Sequence, residues 1–222
     1  MIFADRQHAG WLLGGKLAKY KNENPIILGL PLGGVPVAAE IATLLNAPLE
    51  VIIVRRIGSY FNPELAVGAI CEDEEPFWKE NILARVGLEP FDLGGIVKQE
   101  TNKIHQQIAV FRRGRKLPSF RKHTVIIVDD GLTTGVTAAA AVRYIKKKGA
   151  ARVVVAAPVA AVSSVRMLRP KVDELVVLNE CEDLLLIGLW YMDFSRVSDE
   201  EVSSLLNQNR VQDIHYDLPA GR

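Results

Sequence analysis

The sequence predicts an α/β fold in which a central, mainly parallel sheet is flanked by helices. Three observations carry that expectation. Aliphatic runs such as "NPIILGL", "LEVIIV" and "TVIIV" lack the polar alternation of a half-exposed strand, so they read as strands covered on both faces. Apolar residues at helical spacing fill the intervals between them. Gly, Asp and Thr gather just past the strand ends, where open parallel sheets bind ligands.

The first element is a helix from Asp5 to about Tyr20, where Ala9, Leu12, Leu13 and Leu17 recur beside Arg6, Lys16 and Lys19. "NPIILGL" is a buried strand and "GGVPVAAEIATLLNA" the helix after it; "LEVIIV" is a second strand, ending at Arg55-Arg56. "IGSYFNPEL" reads as a Gly/Ser/Asn/Pro loop and "AVGAI" as a short strand. Residues 73–92 are acidic and then mixed, with weak periodicity. "GGIVKQETNKIHQQIAVFRRGR" is a long amphipathic helix leading to the strand "TVIIV". "GVTAAAAVRYIKKKGA" is a helix ending at Gly149, and its lysines complement the negative end of the helix dipole. "ARVVVAAPVA" is a strand, "VSSVRMLRP" a helix stopped by proline, and "DELVVL" a further strand. The chain then turns a corner through "LLLIGLWYMDF" and ends in a helix capped at Ser198, with Glu201 three residues on. No repeat or low-complexity linker divides the 222 residues, so one domain over 1–222 is expected.

Bulk properties exclude several classes. With 27 basic and 26 acidic residues the net charge is +1, which leaves no electrostatic footprint for nucleic acid or an anionic membrane. The longest apolar run, "VVVAAPVAAV", is about half the ~20 residues of a membrane helix and contains a proline. The N-terminus mixes charges among its apolar residues, unlike a signal peptide, so a cytoplasmic location is expected. Cys71 and Cys181 are far apart and read as reduced thiols. The four histidines lie at unrelated spacings, so neither a metal site nor a nucleophilic triad is expected.

Three stretches fall beyond strand ends. In "VIIVDDGLTTGVT", Gly131 and Gly135 allow a tight turn and close backbone approach, while Thr133, Thr134 and Thr137 add hydroxyls. The next helix begins near Gly135, so its free N–H groups and positive dipole end make a phosphate cradle. Asp129 and Asp130 beside it are acceptors, suited to vicinal sugar hydroxyls or to Mg²⁺ through water. A phosphate cradle next to a diol clamp describes a ribose 5-phosphate site. In "LGLPLGGVP", Gly33 and Gly34 can present N–H groups to an anion, although no Walker Lys-Ser/Thr follows. Arg55 and Arg56 stand where the second strand ends and suit an anionic ligand. Trp190, Tyr191 and Phe194 lie close together and suit either core packing or a lid over a flat ring.

These stretches together resemble the type I phosphoribosyltransferases. "VIIVDDGLTTG" matches that family's motif for 5-phosphoribosyl 1-pyrophosphate (PRPP): four hydrophobic residues, two acids, and a Gly/Thr loop. "LGLPLGGVPVAAEIA" resembles its pyrophosphate loop, and "VRRIGSYFNPELAVGAI" the basic pair and mobile loop that follow. The resemblance implies a sheet topped by a small hood, built from residues 180–222 and the N-terminal segment. It implies transfer of the phosphoribosyl group from PRPP to a nitrogenous base or similar small acceptor, with release of pyrophosphate. Asp129 and Asp130 would hold the ribose hydroxyls, and Gly131, Leu132, Thr133, Thr134, Gly135 and Thr137 the 5-phosphate. Leu32, Gly33 and Gly34 would meet the pyrophosphate, with Arg55 or Arg56 neutralising it. Asp129, Asp130 and Arg56 would therefore carry catalysis, while Trp190 and Tyr191 would cover the acceptor. Mg²⁺ is the implied cofactor, held through PRPP and, through water, by Asp129 and Asp130. The resemblance also implies a homodimer and a place in nucleotide salvage.

Two departures qualify these expectations. Relatives often carry a basic residue where Leu32 stands, which leaves backbone contacts there. Enzymes for 6-oxopurines usually carry a third acid at the position of Thr133, so Thr133 argues against hypoxanthine or guanine. The alternatives are a PRPP or nucleotide sensor without turnover, and an unrelated hydrolase or nucleotide-binding α/β protein with a convergent loop.

Overall fold

A computed structural model describes residues 1–182 and 184–209. Eight strands and seven α-helices are found among the described residues. They are β1 (Pro25–Gly29), β2 (Leu49–Val51), β3 (Val54–Gly58), β4 (Ala66–Cys71), β5 (Pro76–Trp78), β6 (Thr124–Val128), β7 (Arg152–Ala161) and β8 (Glu174–Cys181). The helices are α1 (Arg6–Leu17), α2 (Gly34–Leu45), α3 (Glu80–Val86), α4 (Gly94–Arg112), α5 (Val136–Lys147), α6 (Val162–Leu168) and α7 (Asp199–Gln208). A five-stranded sheet runs β2-β1-β6-β7-β8, and every pairing in it is parallel. The expected α/β class holds.

The aliphatic runs become interior strands because both faces of the sheet are covered. Ile27, Ile126 and Val128 point into one core with Leu13, Leu17, Val37 and Ile41. Their neighbours Ile26, Leu28, Val125 and Ile127 point into the opposite core with Val142, Ile145 and Leu168. The two-residue period of the pleat thus divides each run between two helical layers. Ala138 to Ala141 are all buried in α5, where small side chains let that helix lie close against the sheet. Among the described residues no helix is long and apolar enough to cross a membrane.

Two expectations need correction. "LEVIIV" is not one strand. Only Leu49–Val51 joins the parallel sheet; the chain turns out through buried Ile52 and Ile53, and β3 enters a separate antiparallel sheet ordered β3-β4-β5. Arg55 and Arg56 are therefore inside a strand of that second sheet rather than at the exit from the first. A buried ion pair fixes the crossing: Arg112 and Glu72 are joined by two hydrogen bonds, one of 2.6 Å. Arg112 also donates to the Val51 carbonyl at 2.9 Å, and the Ile53 amide donates to Glu72 at 2.8 Å. Residues 73–92, weakly patterned in sequence, supply the edge strand β5, the short α3 and a 3₁₀ turn at Pro90–Leu93.

Pro158 lies inside β7, where proline is normally excluded from a central strand. The neighbour β6 has already ended there, its last pairing being Val128 with Ala156. Beyond that point β7 holds a loop instead. The Leu132 amide donates to the Val159 carbonyl, and the Ala161 amide donates back to the Leu132 carbonyl, both at 2.9 Å. The Gly/Thr loop after β6 is thus hung on the overhanging end of β7.

Near the N-terminus, residues 3–4 pair with the 190–193 segment. Phe3 bridges Tyr191; the Phe3 amide donates to Trp190, and the Met192 and Asp193 amides donate to Phe3 and Ala4, all at 2.8 Å. The helix cap expected at Ser198 is present, its hydroxyl accepting from the Glu201 amide at 3.2 Å. Residues 183 and 210–222 of the expected hood lie outside the described residues.

Candidate functional site

A cavity of about 830 Å³ opens beyond the C-terminal ends of β1 and β6. Its walls include Asp129, Asp130, Gly131, Leu132, Thr133, Thr134, Gly135 and Thr137 along the β6–α5 connection and the start of α5, and Arg55 and Arg56 on β3. Two of the three motif stretches are thereby brought together. From the third, Pro31 lines the cavity, and the Pro31–Leu32 peptide is cis.

The Gly/Thr segment has the geometry of an anion cradle. Gly135 takes φ of 66°, a left-handed conformation that glycine adopts without strain, and turns the chain into α5. The first amides of α5 have no carbonyl one turn back, so they and the dipole face the turn. Half-buried Thr133, Thr134 and Thr137 line the same space. Leu132 is different. Its side chain is 1% exposed and both its backbone groups are taken up by β7, so it anchors the loop.

Asp129 and Asp130 lie at the end of β6, and the Asp130 amide donates to Asp129 Oδ1 at 3.0 Å. Burial, and then the negative charge of Asp130, pushes the Asp129 carboxyl well above the ordinary carboxylate range. Burial also raises Asp130, against the opposing pull of Arg6. Arg6 Nε meets Asp130 Oδ2 at 2.9 Å, and the Tyr191 hydroxyl donates to the Asp130 carbonyl at 2.6 Å. Gly33 and Gly34 pack against this pair. A Cβ on Gly33 would stand 1.9 Å from Asp130 Oδ2, and one on Gly34 2.5 Å from the Val128 carbonyl. The two glycines therefore let α2 start directly against the acids.

The basic side of the cavity is already paired with carboxylates. Arg55 Nε lies 2.8 Å from Glu100 Oε2, Lys103 Nζ lies 2.6 Å from Glu100 Oε1, and Arg56 Nη2 lies 2.8 Å from Glu64 Oε2. Burial works to raise Glu100, but hydrogen bonds from Lys103 and Arg55 hold it below the ordinary range. The Arg56–Glu64 pair is exposed, Glu64 being 84% accessible, and an incoming anion can displace it at small cost.

The two aromatic residues expected over an acceptor do not line this cavity. Tyr191 is 6% exposed and packs on Phe3, with ring centroids 5.4 Å apart. Trp190 is half-buried in the apolar clusters beneath the hood. From the same turn it is Ile187 that reaches the cavity, against Gly131. Sequence reasoning also missed Arg6, Glu100, Lys103 and Tyr60. Arg6 meets Asp130 across 124 residues and Glu100 meets Arg55 across 45, separations that no local pattern records.

The carboxylate pair fits a magnesium ion only in part. Among the described residues no group of three or more His, Cys, Asp or Glu could hold a metal. Mg²⁺ commonly takes one or two carboxylates and completes its shell with water and substrate phosphates, and Asp129 beside Asp130 suits that role.

A family model described as the phosphoribosyl transferase domain matches residues 6–179. Proteins from two strains of Mycobacterium tuberculosis, provisionally named phosphoribosyl transferases, are 36% identical over 207 residues. The match covers 93% of this chain and 47% of each relative, so the chain spans about half the length of the curated relatives it matches. A crystal structure from Thermus thermophilus superposes with a TM-score of 0.79 at 36% identity, covering 94% of this chain and 99% of that one. An Aquifex aeolicus structure at 14% identity, with a TM-score of 0.51 over 90% and 84% of the two chains, shares the fold.

Proposed function

The chain belongs to the phosphoribosyl transferase family, and from that premise we propose that it transfers the 5-phosphoribosyl group of PRPP to a nitrogenous base or similar small acceptor. The observation that carries the reading is the shared cavity, where an acid pair, a glycine-threonine helix start and two arginines converge. Asp129 and Asp130 accept from the ribose hydroxyls, and the amides and hydroxyls of 131–137 hold the 5-phosphate. Arg55 and Arg56, with the backbone of Leu32–Gly34, take the pyrophosphate. Gly33 and Gly34 serve by letting that backbone approach the acids.

The reaction breaks the bond from the sugar C1 to pyrophosphate as a nitrogen lone pair approaches, through an oxocarbenium-like transition state. The protein needs little covalent chemistry. It fixes orientation and stabilises the charge that develops on the leaving group. Mg²⁺, held through PRPP and, through water, by Asp129 and Asp130, would supply further charge neutralisation at the pyrophosphate. Closure of the loop at 58–64 would keep water from the activated sugar. The acceptor would enter beside Ile187 and Thr133, and Thr133 disfavours hypoxanthine and guanine. A homodimer and a role in nucleotide salvage, from family likeness, and a cytoplasmic location, from the charged N-terminus, complete the proposal.

A second reading, a PRPP sensor without turnover, is favoured by one observation: both arginines are already paired with Glu100 and Glu64. Pyrophosphate release with Mg²⁺, PRPP and a panel of purines, pyrimidines and other amines separates the two. Acceptor-dependent release is expected. PRPP binding without release from any acceptor would leave the sensor, and no PRPP binding at all would end both readings.

Binding should also be linked to protons. The Asp129 carboxyl is raised in the free protein, so it must ionise to meet Mg²⁺. Calorimetry in buffers of different ionisation enthalpy should therefore show proton release when Mg²⁺ and PRPP bind together, and an affinity that rises with pH. A binding enthalpy independent of the buffer would refute the link.

A further inference from the structure

Arg6 is anchored on three sides. Its Nε meets Asp130 Oδ2 at 2.9 Å, its Nη1 donates to the Ser195 carbonyl at 2.8 Å, and its guanidinium lies 3.9 Å from the Phe194 ring centroid. Both side chains of the ion pair are only 11% accessible. Asp5 caps α1 through the His8 amide at 2.7 Å, which sets the helix start that projects Arg6 inward. Phe194 and Ser195 belong to the C-terminal segment that pairs with Phe3 and Ala4. One guanidinium thus joins the start of α1 and the 194–195 segment to an acid of the cavity.

We propose that Arg6 is a positioning residue: it holds the Asp130 carboxylate in the orientation that receives the ribose hydroxyls, and makes that orientation depend on a seated hood. The inference rests on the phosphoribosyl reading of the cavity. The ion pair runs through Nε to Oδ2, which leaves the second carboxylate oxygen for a hydroxyl donor. A guanidinium suits the task because its planar fork satisfies Asp130 and Ser195 along separate edges while its face packs on an aromatic ring. A lysine would keep the charge and lose the geometry.

Asp130 faces a defined set of charges. α1 contributes Arg6, the end of β6 contributes Asp129, and the hood contributes the Tyr191 hydroxyl on the Asp130 carbonyl. The α2 side contributes uncharged Gly33. Arg6 in turn acts on Asp193, which accepts from the Ser195 amide. Arg6 is therefore the cation in direct contact with an acid that burial drives toward protonation.

The test compares the wild type, Arg6→Met and Arg6→Lys in two measurements. The first is PRPP affinity with Mg²⁺ by calorimetry, and the second is pyrophosphate affinity with Mg²⁺ under the same conditions. Arg6→Met should weaken PRPP binding by at least about tenfold and leave pyrophosphate affinity unchanged, because pyrophosphate has no ribose hydroxyls. Arg6→Lys, which keeps the charge without the planar fork, should recover only part of the loss. Equal losses for PRPP and pyrophosphate, or full PRPP affinity in Arg6→Met, would overturn the proposal and leave Arg6 a structural brace. Should Arg6→Met fail to fold, Arg6→Gln carries the same comparison. A wild type that binds no PRPP would end the functional reading, while a crystal structure of Arg6→Met still shows whether the Asp130 carboxylate turns away.

Discussion

Asp129→Asn is expected to abolish PRPP binding and to raise the thermal midpoint of the free protein at neutral pH. Both effects come from one cause. The Asp129 carboxyl is buried beside Asp130 and accepts one amide hydrogen bond, so ionising it in the folded protein costs more than in the unfolded chain. The sign follows from the raised value. The folded state prefers the protonated acid, so stability is greatest below the ordinary Asp value of 3.8 and declines as pH rises through the raised one. Asparagine keeps the oxygen that receives the Asp130 amide and removes the charge. The gain should be on the order of 1 kcal/mol, about 2–4 °C for a chain of this size. It should shrink as the pH falls toward the ordinary range, where the wild-type acid is already neutral. A thermal scan across pH with calorimetry on PRPP checks both halves. A midpoint that falls at neutral pH would show that the carboxylate stabilises the free fold, contrary to this account.

Gly34→Ala should damage the site more than any single contact loss. The new Cβ would lie 2.5 Å from the Val128 carbonyl oxygen and 2.9 Å from Asp129 Cα. Those are backbone atoms, so no side chain can swing aside, and β6 and α2 must separate. Overpacking of this kind costs roughly 1–3 kcal/mol. The displacement falls on the residue that carries the acid, and a shift of about 1 Å at a reacting site can lower rates about 100-fold. Gly33→Ala strikes differently, since its Cβ would meet the Asp130 carboxylate that Arg6 holds. It should disturb Asp130 while sparing the β6 backbone. Crystal structures of the two variants with pyrophosphate-release rates would check this, and wild-type activity in Gly34→Ala would contradict it.

Much of the fold was legible in sequence because buried parallel strands announce themselves. "PIILG" and "TVIIV" are apolar at every position, and few other environments favour that pattern. "LEVIIV" misled for the same reason. Ile52 and Ile53 are as apolar as the residues before them, yet they form the crossing between two sheets. Hydrophobicity reports that a residue is buried and is silent on which sheet buries it. Trp190 and Tyr191 show a related limit: aromatic character suits a lid and a core equally, and here the Tyr191 ring went beneath the hood.

The sequence by itself determined the strand, turn and helix from Val125 to Thr137 and the chemistry it can offer. The acids, glycines and threonines of that unit are neighbours in the chain, so their geometry follows from local rules of strand ends and helix starts. Only the tertiary structure decided the electrical state of those acids. Arg6 is 124 residues from Asp130, and Tyr191 is 61 residues away on the other side. Glu100 reaches Arg55 across 45 residues. Such contacts form when packing of the cores closes the chain on itself, and no periodicity records them. Burial then acts on each charge according to the partners that closure supplies: Arg6 meets Asp130 directly, while on Asp129 the same cation ranks behind burial and the charge of Asp130.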